Sequence, residues 1–112
     1  MSDDRSARHP DPAVLDEIIR RVVEVAQPDR IILFGSAARG EMGPDSDIDL
    51  LVIKAGVAHR GRLAGDIHMN LFGIRVPVDV LVVTPEDVEH DRHAVGSVIG
   101  PALREGREVY AA

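Results

Sequence analysis

The chain has 112 residues, 45% hydrophobic and 29% charged, with 13 basic against 19 acidic side chains and a formal charge of −6; this suits one folded domain with a modest core rather than a disordered chain. The acidity and the 3% of aromatic residues argue against a protein held to duplex nucleic acid by its own positive field or one that stacks single-stranded bases, so no direct nucleic-acid binding is expected. There is no cysteine for a disulfide or thiolate metal site, no signal-peptide pattern and no apolar run near the roughly 18 residues of a membrane span, which makes a soluble, cytoplasmic domain with no membrane association the expectation.

Residues 1–10 are polar and are expected to be disordered, leaving residues 11–112 as the folded domain. Asp11-Pro12 reads as an N-cap followed by proline at the first helical position. Val14, Leu15, Ile18, Ile19, Val22, Val23 and Ala26 then recur at helical spacing and predict an amphipathic helix ending near Gln27-Pro28. The apolar run RIILF, residues 30–34, predicts a buried strand stopped by Gly35. A short helix suits residues 36–41, and Gly43-Pro44-Asp45-Ser46 is turn chemistry. Residues 47–53, DIDLLVI, predict a second strand. Residues 59–72 predict a helix weakened by Gly61 and Gly65.

A third strand is expected over residues 75–83, RVPVDVLVV, with Pro77 placing its first half at an edge or outside the ladder. Thr84-Pro85-Glu86-Asp87 has the form of an N-cap, an N1 proline and first-turn acids, opening a helix to about Ala94. Another helical turn to Leu103 and a short pairing strand over residues 107–110 complete the pattern. Alternating helix and strand predicts an α/β (α+β) fold, helices on a small mixed sheet.

Asp47 and Asp49 are out of place at the start of a strand. Side chains two residues apart share a face, so both carboxylates point one way, Leu51 and Ile53 continue that face into the core, and Ile48, Leu50 and Val52 point the other way. Asp79 similarly interrupts an apolar strand, and an ionised carboxylate there is costly unless paired, hydrogen-bonded or bound to metal. If the second and third strands are neighbours, Asp79 lies beside Asp47 and Asp49. Such a trio repels itself, and Mg²⁺ relieves the repulsion with oxygen ligands, waters and substrate phosphates. Upstream, Gly35-Ser36 ends the first strand where backbone N–H groups and the Ser36 hydroxyl can meet phosphate oxygens, with Arg39 one turn further on.

Gly35-Ser36, ten residues, then Asp47-Ile48-Asp49 resembles the signature of the nucleotidyltransferase superfamily of DNA polymerase β type. The longer string FGSAARGEMGPDSDIDLLV, residues 34–52, resembles its minimal branch, the MNT proteins, and Asp79 matches the third carboxylate. The resemblance covers roughly residues 14–83 and thins after Ala94. It implies a polymerase β-like fold, with Asp47, Asp49 and Asp79 as catalytic residues and ligands of two Mg²⁺ ions (Mn²⁺ being an alternative). It also implies Gly35, Ser36 and Arg39 as contacts to ATP. Many minimal members are antitoxins that transfer AMP from ATP to a tyrosine of a HEPN-domain toxin, and a hetero-oligomer with such a toxin is the implied partnership. A non-catalytic antitoxin or nucleotide-binding subunit, and a subunit of a small-molecule or RNA nucleotidyltransferase, are the alternative readings.

Other motifs fail or read as ordinary surface. An EF-hand starting at Asp45 would need glycine and glutamate where Leu50 and Gly56 stand, and a P-loop from Gly35 would need Lys-Ser/Thr where Glu41-Met42 stand. Asp45 reads as a solvated turn acid. Arg39 suits a phosphate contact or a surface pair with Glu41 equally. His90 and His93 share a helical face without a third ligand and read as solvent-facing, as does His68. Tyr110 reads as an anchor of the tail rather than a nucleotide acceptor. Met69 and Phe72 suit the core or a partner surface.

Overall fold

The computed structural model describes residues 9–43 and 45–112; residues 1–8 of the expected disordered segment, and Pro44 of the expected turn, lie outside the described residues. Helix α1 (Pro12–Ala26) begins where the Asp11 carboxylate accepts the Ala13 N–H at 2.9 Å and ends at Gln27, whose backbone is left-handed. Strand β1 (Arg30–Phe34) follows, then a single turn of helix, α2 (Gly35–Arg39). The next strand, β2 (Ile48–Ile53), leads into α3 (Arg60–Asn70) and β3 (Val78–Val83). Helices α4 (Pro85–Asp91) and α5 (Ile99–Glu105) and strand β4 (Arg107–Ala111) close the chain.

The four strands form one sheet in the order β3-β2-β1-β4. β1 is antiparallel to both β2 and β4, and β2 is parallel to β3, so the sheet is mixed as expected. The parallel pair needs a crossover, and α3 supplies it. β4 pairs with β1 across an irregularity between Ile31 and Ile32.

Strand alternation sorts the apolar residues into two cores. Ile31 and Leu33, Ile48, Leu50 and Val52, and Val80 and Val82 lie on one face, buried with Leu15, Ile18 and Val22 of α1 and with Ile67 and Leu71 from α3 and its end. Ile32, Leu51, Ile53 and Val83 lie on the other face under Val88 of α4 and Ile99 and Ala102 of α5.

Some boundaries fall short of the sequence expectation, each for a local reason. β3 starts at Val78 rather than at residue 75, because Pro77 has no N–H for the ladder; its carbonyl still accepts the Ile48 N–H at 2.9 Å. α4 ends at Asp91 instead of about Ala94, and the chain turns through Asp91-to-Ala94 and Ala94-to-Ser97 hydrogen bonds. The start of α4 is as read: the Thr84 hydroxyl accepts the Asp87 N–H at 3.1 Å, and the Asp87 carboxylate accepts the Thr84 N–H at 2.9 Å.

Candidate functional site

β1 runs toward its Gly35 end while β2 begins at the same end, so Phe34 pairs with Asp49. On the other side of β2, Asp49 is in register with Asp79 of β3. Both carboxylate-bearing residues are therefore on the α4/α5 face, one step outward from the Leu51–Leu81 pair. Asp47 precedes β2 by one residue, two positions from Asp49, and is exposed, as is Asp79; Asp49 is half-buried.

Gly35 has a positive φ of 71°. A Cβ built there would collide with Oδ2 of Asp49. This position therefore demands glycine twice, once for its backbone and once because the carboxylate lies against its Cα. Ser36 follows on α2, half-buried beside the same carboxylate-bearing end of the sheet.

Burial raises the pKa of Asp49 above the ordinary carboxylate value, and the negative charges of Asp79 and then Asp47 raise it further; Arg39 pulls the other way. No hydrogen-bond donor reaches the Asp49 carboxylate among the described residues. Asp49 feels the charges of Asp79 and Asp47, yet no three His, Cys, Asp or Glu side chains among the described residues are drawn together into a ready metal cage. The donor set is open and all-oxygen, with an unpartnered, half-buried carboxylate at its centre. That fits a hard cation which keeps waters and takes its remaining ligands from substrate phosphates.

Arg39 is engaged on the surface: its Nε donates to Glu41 Oε1 at 2.8 Å, and its Nη1 lies 3.6 Å from Glu105 Oε1. The Glu105 contact was invisible in the sequence, because it joins α2 to the end of α5 across more than sixty positions.

The remaining sequence-read residues lie elsewhere. Asp45 is an exposed turn residue. His90 and His93 are exposed, and His90 Nδ1 lies 2.8 Å from Asp91 Oδ1. His68 is exposed, and Met69 and Phe72 point outward at 79% and 88% exposure, which settles them as surface rather than core. Tyr110 pairs with Ile31 and packs against the α1/α3 core, on the face away from Asp49, as an anchor of the tail would. Grooves between α1 and β4 and between α4 and α5 do not include the acids.

A family model described as a nucleotidyltransferase domain matches residues 15–85. No curated protein matches the chain. Among solved structures, a candidate nucleotidyltransferase from Sulfolobus solfataricus superimposes with a TM-score of 0.60 at 18% identity, covering 96% of this chain and 84% of that one. A toxin–antitoxin complex with AMP-PNP gives a TM-score of 0.56 at 21% identity, covering 87% of this chain and 73% of that one. A mutant MntA–HpeT toxin–antitoxin complex gives 0.52, with the same identity and coverage. The structural likenesses share the fold, and the matched region runs from α1 through β3 and takes in Gly35, Ser36, Asp47, Asp49 and Asp79. The chain belongs to the nucleotidyltransferase domain family.

Proposed function

We propose that this nucleotidyltransferase transfers AMP from ATP to a hydroxyl of a partner protein, a tyrosine of a HEPN-domain toxin, and so acts as the antitoxin of a toxin–antitoxin pair. The observation that carries the reading is the Asp49 carboxylate lying against Gly35 and in register with Asp79 of the neighbouring strand. Two of the solved structures with this fold are toxin–antitoxin complexes, one of them with AMP-PNP, which supports the biological setting and the adenine nucleotide.

In this reading Asp47, Asp49 and Asp79 hold two Mg²⁺ ions, with Mn²⁺ able to replace them. When bound, the ions make the acceptor hydroxyl more acidic and neutralise charge on the triphosphate and the departing pyrophosphate. The chain's own residues set the geometry. Gly35 lets the backbone that opens α2 lie directly against the Asp49 carboxylate, because no side chain stands between them, so a phosphate held by that turn is close to the carboxylate. The Ser36 hydroxyl donates a hydrogen bond to a phosphate oxygen, and Arg39 lends charge. Asp79, on the outer strand, receives the acceptor from the open side and orients its hydroxyl toward the α-phosphorus. The hydroxyl gives up its proton to Asp79 or to water and its oxygen attacks the α-phosphorus in line; the bond from that phosphorus to the oxygen bridging to the β-phosphate breaks, and AMP remains on the acceptor while pyrophosphate leaves.

The test is transfer of label from ATP labelled at the α-phosphate to a co-expressed genomic neighbour, with mass spectrometry of that neighbour. Adenylylation of a tyrosine by the wild-type chain, lost by roughly 10³-fold in a folded Asp47→Asn variant, is the expected result. An unmodified partner bound tightly by both forms rejects the transfer reading in favour of neutralisation by binding.

A further inference from the structure

We propose that Glu41 and Glu105 are positioning residues that hold Arg39 in a reserve pair, so that nucleotide affinity is set partly from the C-terminal helix α5. The inference rests on the triphosphate-binding reading of the site and concerns how that binding is regulated.

Arg39 ends α2, the turn of helix that starts at Gly35. That turn opens with Gly35 against the Asp49 carboxylate, and the charge of Arg39 at its far end acts to lower the Asp49 pKa. Arg39 is the one cation that acts on Asp49 among the described residues. Two carboxylates hold it, however. Glu41 grips Nε from the following loop, and Glu105 faces Nη1 from the last residue of α5. Glu105 lies outside residues 15–85, so this contact comes from a part of the chain beyond the matched family region.

A triphosphate recruiting Arg39 must exchange these carboxylates for phosphate oxygens. All three side chains are about half exposed, at 44% for Arg39, 60% for Glu41 and 55% for Glu105. Pairs at such exposure are weak and exchangeable, which a reserve position requires and a structural strut does not. The two glutamates also add negative charge where an anion must bind, so their loss favours the nucleotide. A neutral residue at position 105 releases Nη1 without disturbing a buried group.

The experiment is calorimetric titration of MgATP, and of magnesium tripolyphosphate, into the full-length wild type, Glu105→Gln, Glu41→Gln, Arg39→Ala and Arg39→Ala/Glu105→Gln, with transfer kinetics alongside. Glu105→Gln is expected to bind both ligands roughly two- to fivefold more tightly at low salt and to lower KM while leaving kcat unchanged. Glu41→Gln moves the same way, and Arg39→Ala binds more weakly. The gain from Glu105→Gln disappears in the Arg39→Ala background. An equal gain in both backgrounds overturns the proposal, because the effect would then be a general field. Unchanged affinity in both glutamine variants overturns it too. If the wild type itself binds neither ligand at millimolar concentration, the triphosphate reading fails and the inference falls with it.

Discussion

The two faces of the sheet are built from the same strands to different ends. Along β2, Ile48, Leu50 and Val52 face α1 and α3 and are all fully buried. The alternate residues Asp49, Leu51 and Ile53 face α4 and α5, and only the latter two are buried. The first face is covered from end to end by two helices. The second is covered over its inner half and left open where the acids stand. One face supplies stability, and the open half of the other supplies a site whose charges the fold must tolerate.

The sharpest test of this division is a pair of leucine truncations. Leu50→Ala on the closed face is expected to cost about 2–5 kcal/mol, whereas Leu81→Ala on the second face, at 37% exposure on the edge strand, costs about 1–2 kcal/mol. Denaturant melts of the two variants measure the contrast, and equal losses would break the comparison. Gly35→Ala comes next. The alanine must adopt a positive φ and push the Asp49 carboxylate aside, which is expected to cost about 1–3 kcal/mol and to reduce transfer at the same time. Thermal melts and labelled-ATP transfer on one preparation show whether both change together.

Thr84→Ala removes the hydroxyl that accepts the Asp87 N–H and is expected to lower stability by about 1 kcal/mol without changing ATP affinity. The smallest effect is the pH dependence of Asp49. Its folded pKa is raised, so the folded state holds its proton more tightly than the unfolded state does. The associated stabilisation is present below the unfolded pKa and is lost as pH rises through the folded value. Asp87, lowered by Arg60 and then by Thr84, has the opposite sign, as does Glu17, lowered to about 2 by Arg20 and Arg21. Subtracting the melting curve of Asp49→Asn from that of the wild type isolates Asp49. The difference should grow against the wild type as pH rises through this window and shrink when Mg²⁺ is added.

Much of this was legible in the sequence, because the signals are local. The caps at Asp11 and Thr84 act within three residues, and the alternation along DIDLLVI puts Asp49 on the face of Leu51 and Ile53 without any tertiary knowledge. Proline at position 77 marked the weak start of β3. What the sequence did not carry is contact between distant segments. The Arg39–Glu105 pair has no periodicity to announce it. The spacing of the three acids brings them to one end of the sheet and does not by itself set the distances between their carboxylates. A strand pattern fixes which face a carboxylate shares and leaves its reach to side-chain rotamers and to whatever cation arrives.

Asp79 rides on a border strand. β3 is held in the sheet by β2 alone, while Gly35, Asp47 and Asp49 belong to the interior pair β1–β2. The inward valines of β3, Val80, Val82 and Val83, are buried in the two cores, so the position of Asp79 depends on packing as well as on a single ladder, and hydrogen exchange at the amides of residues 78–83 measures how firmly the strand is held. In the proposed reading the acceptor side of the site therefore stands on an edge strand, and the nucleotide side on the interior pair.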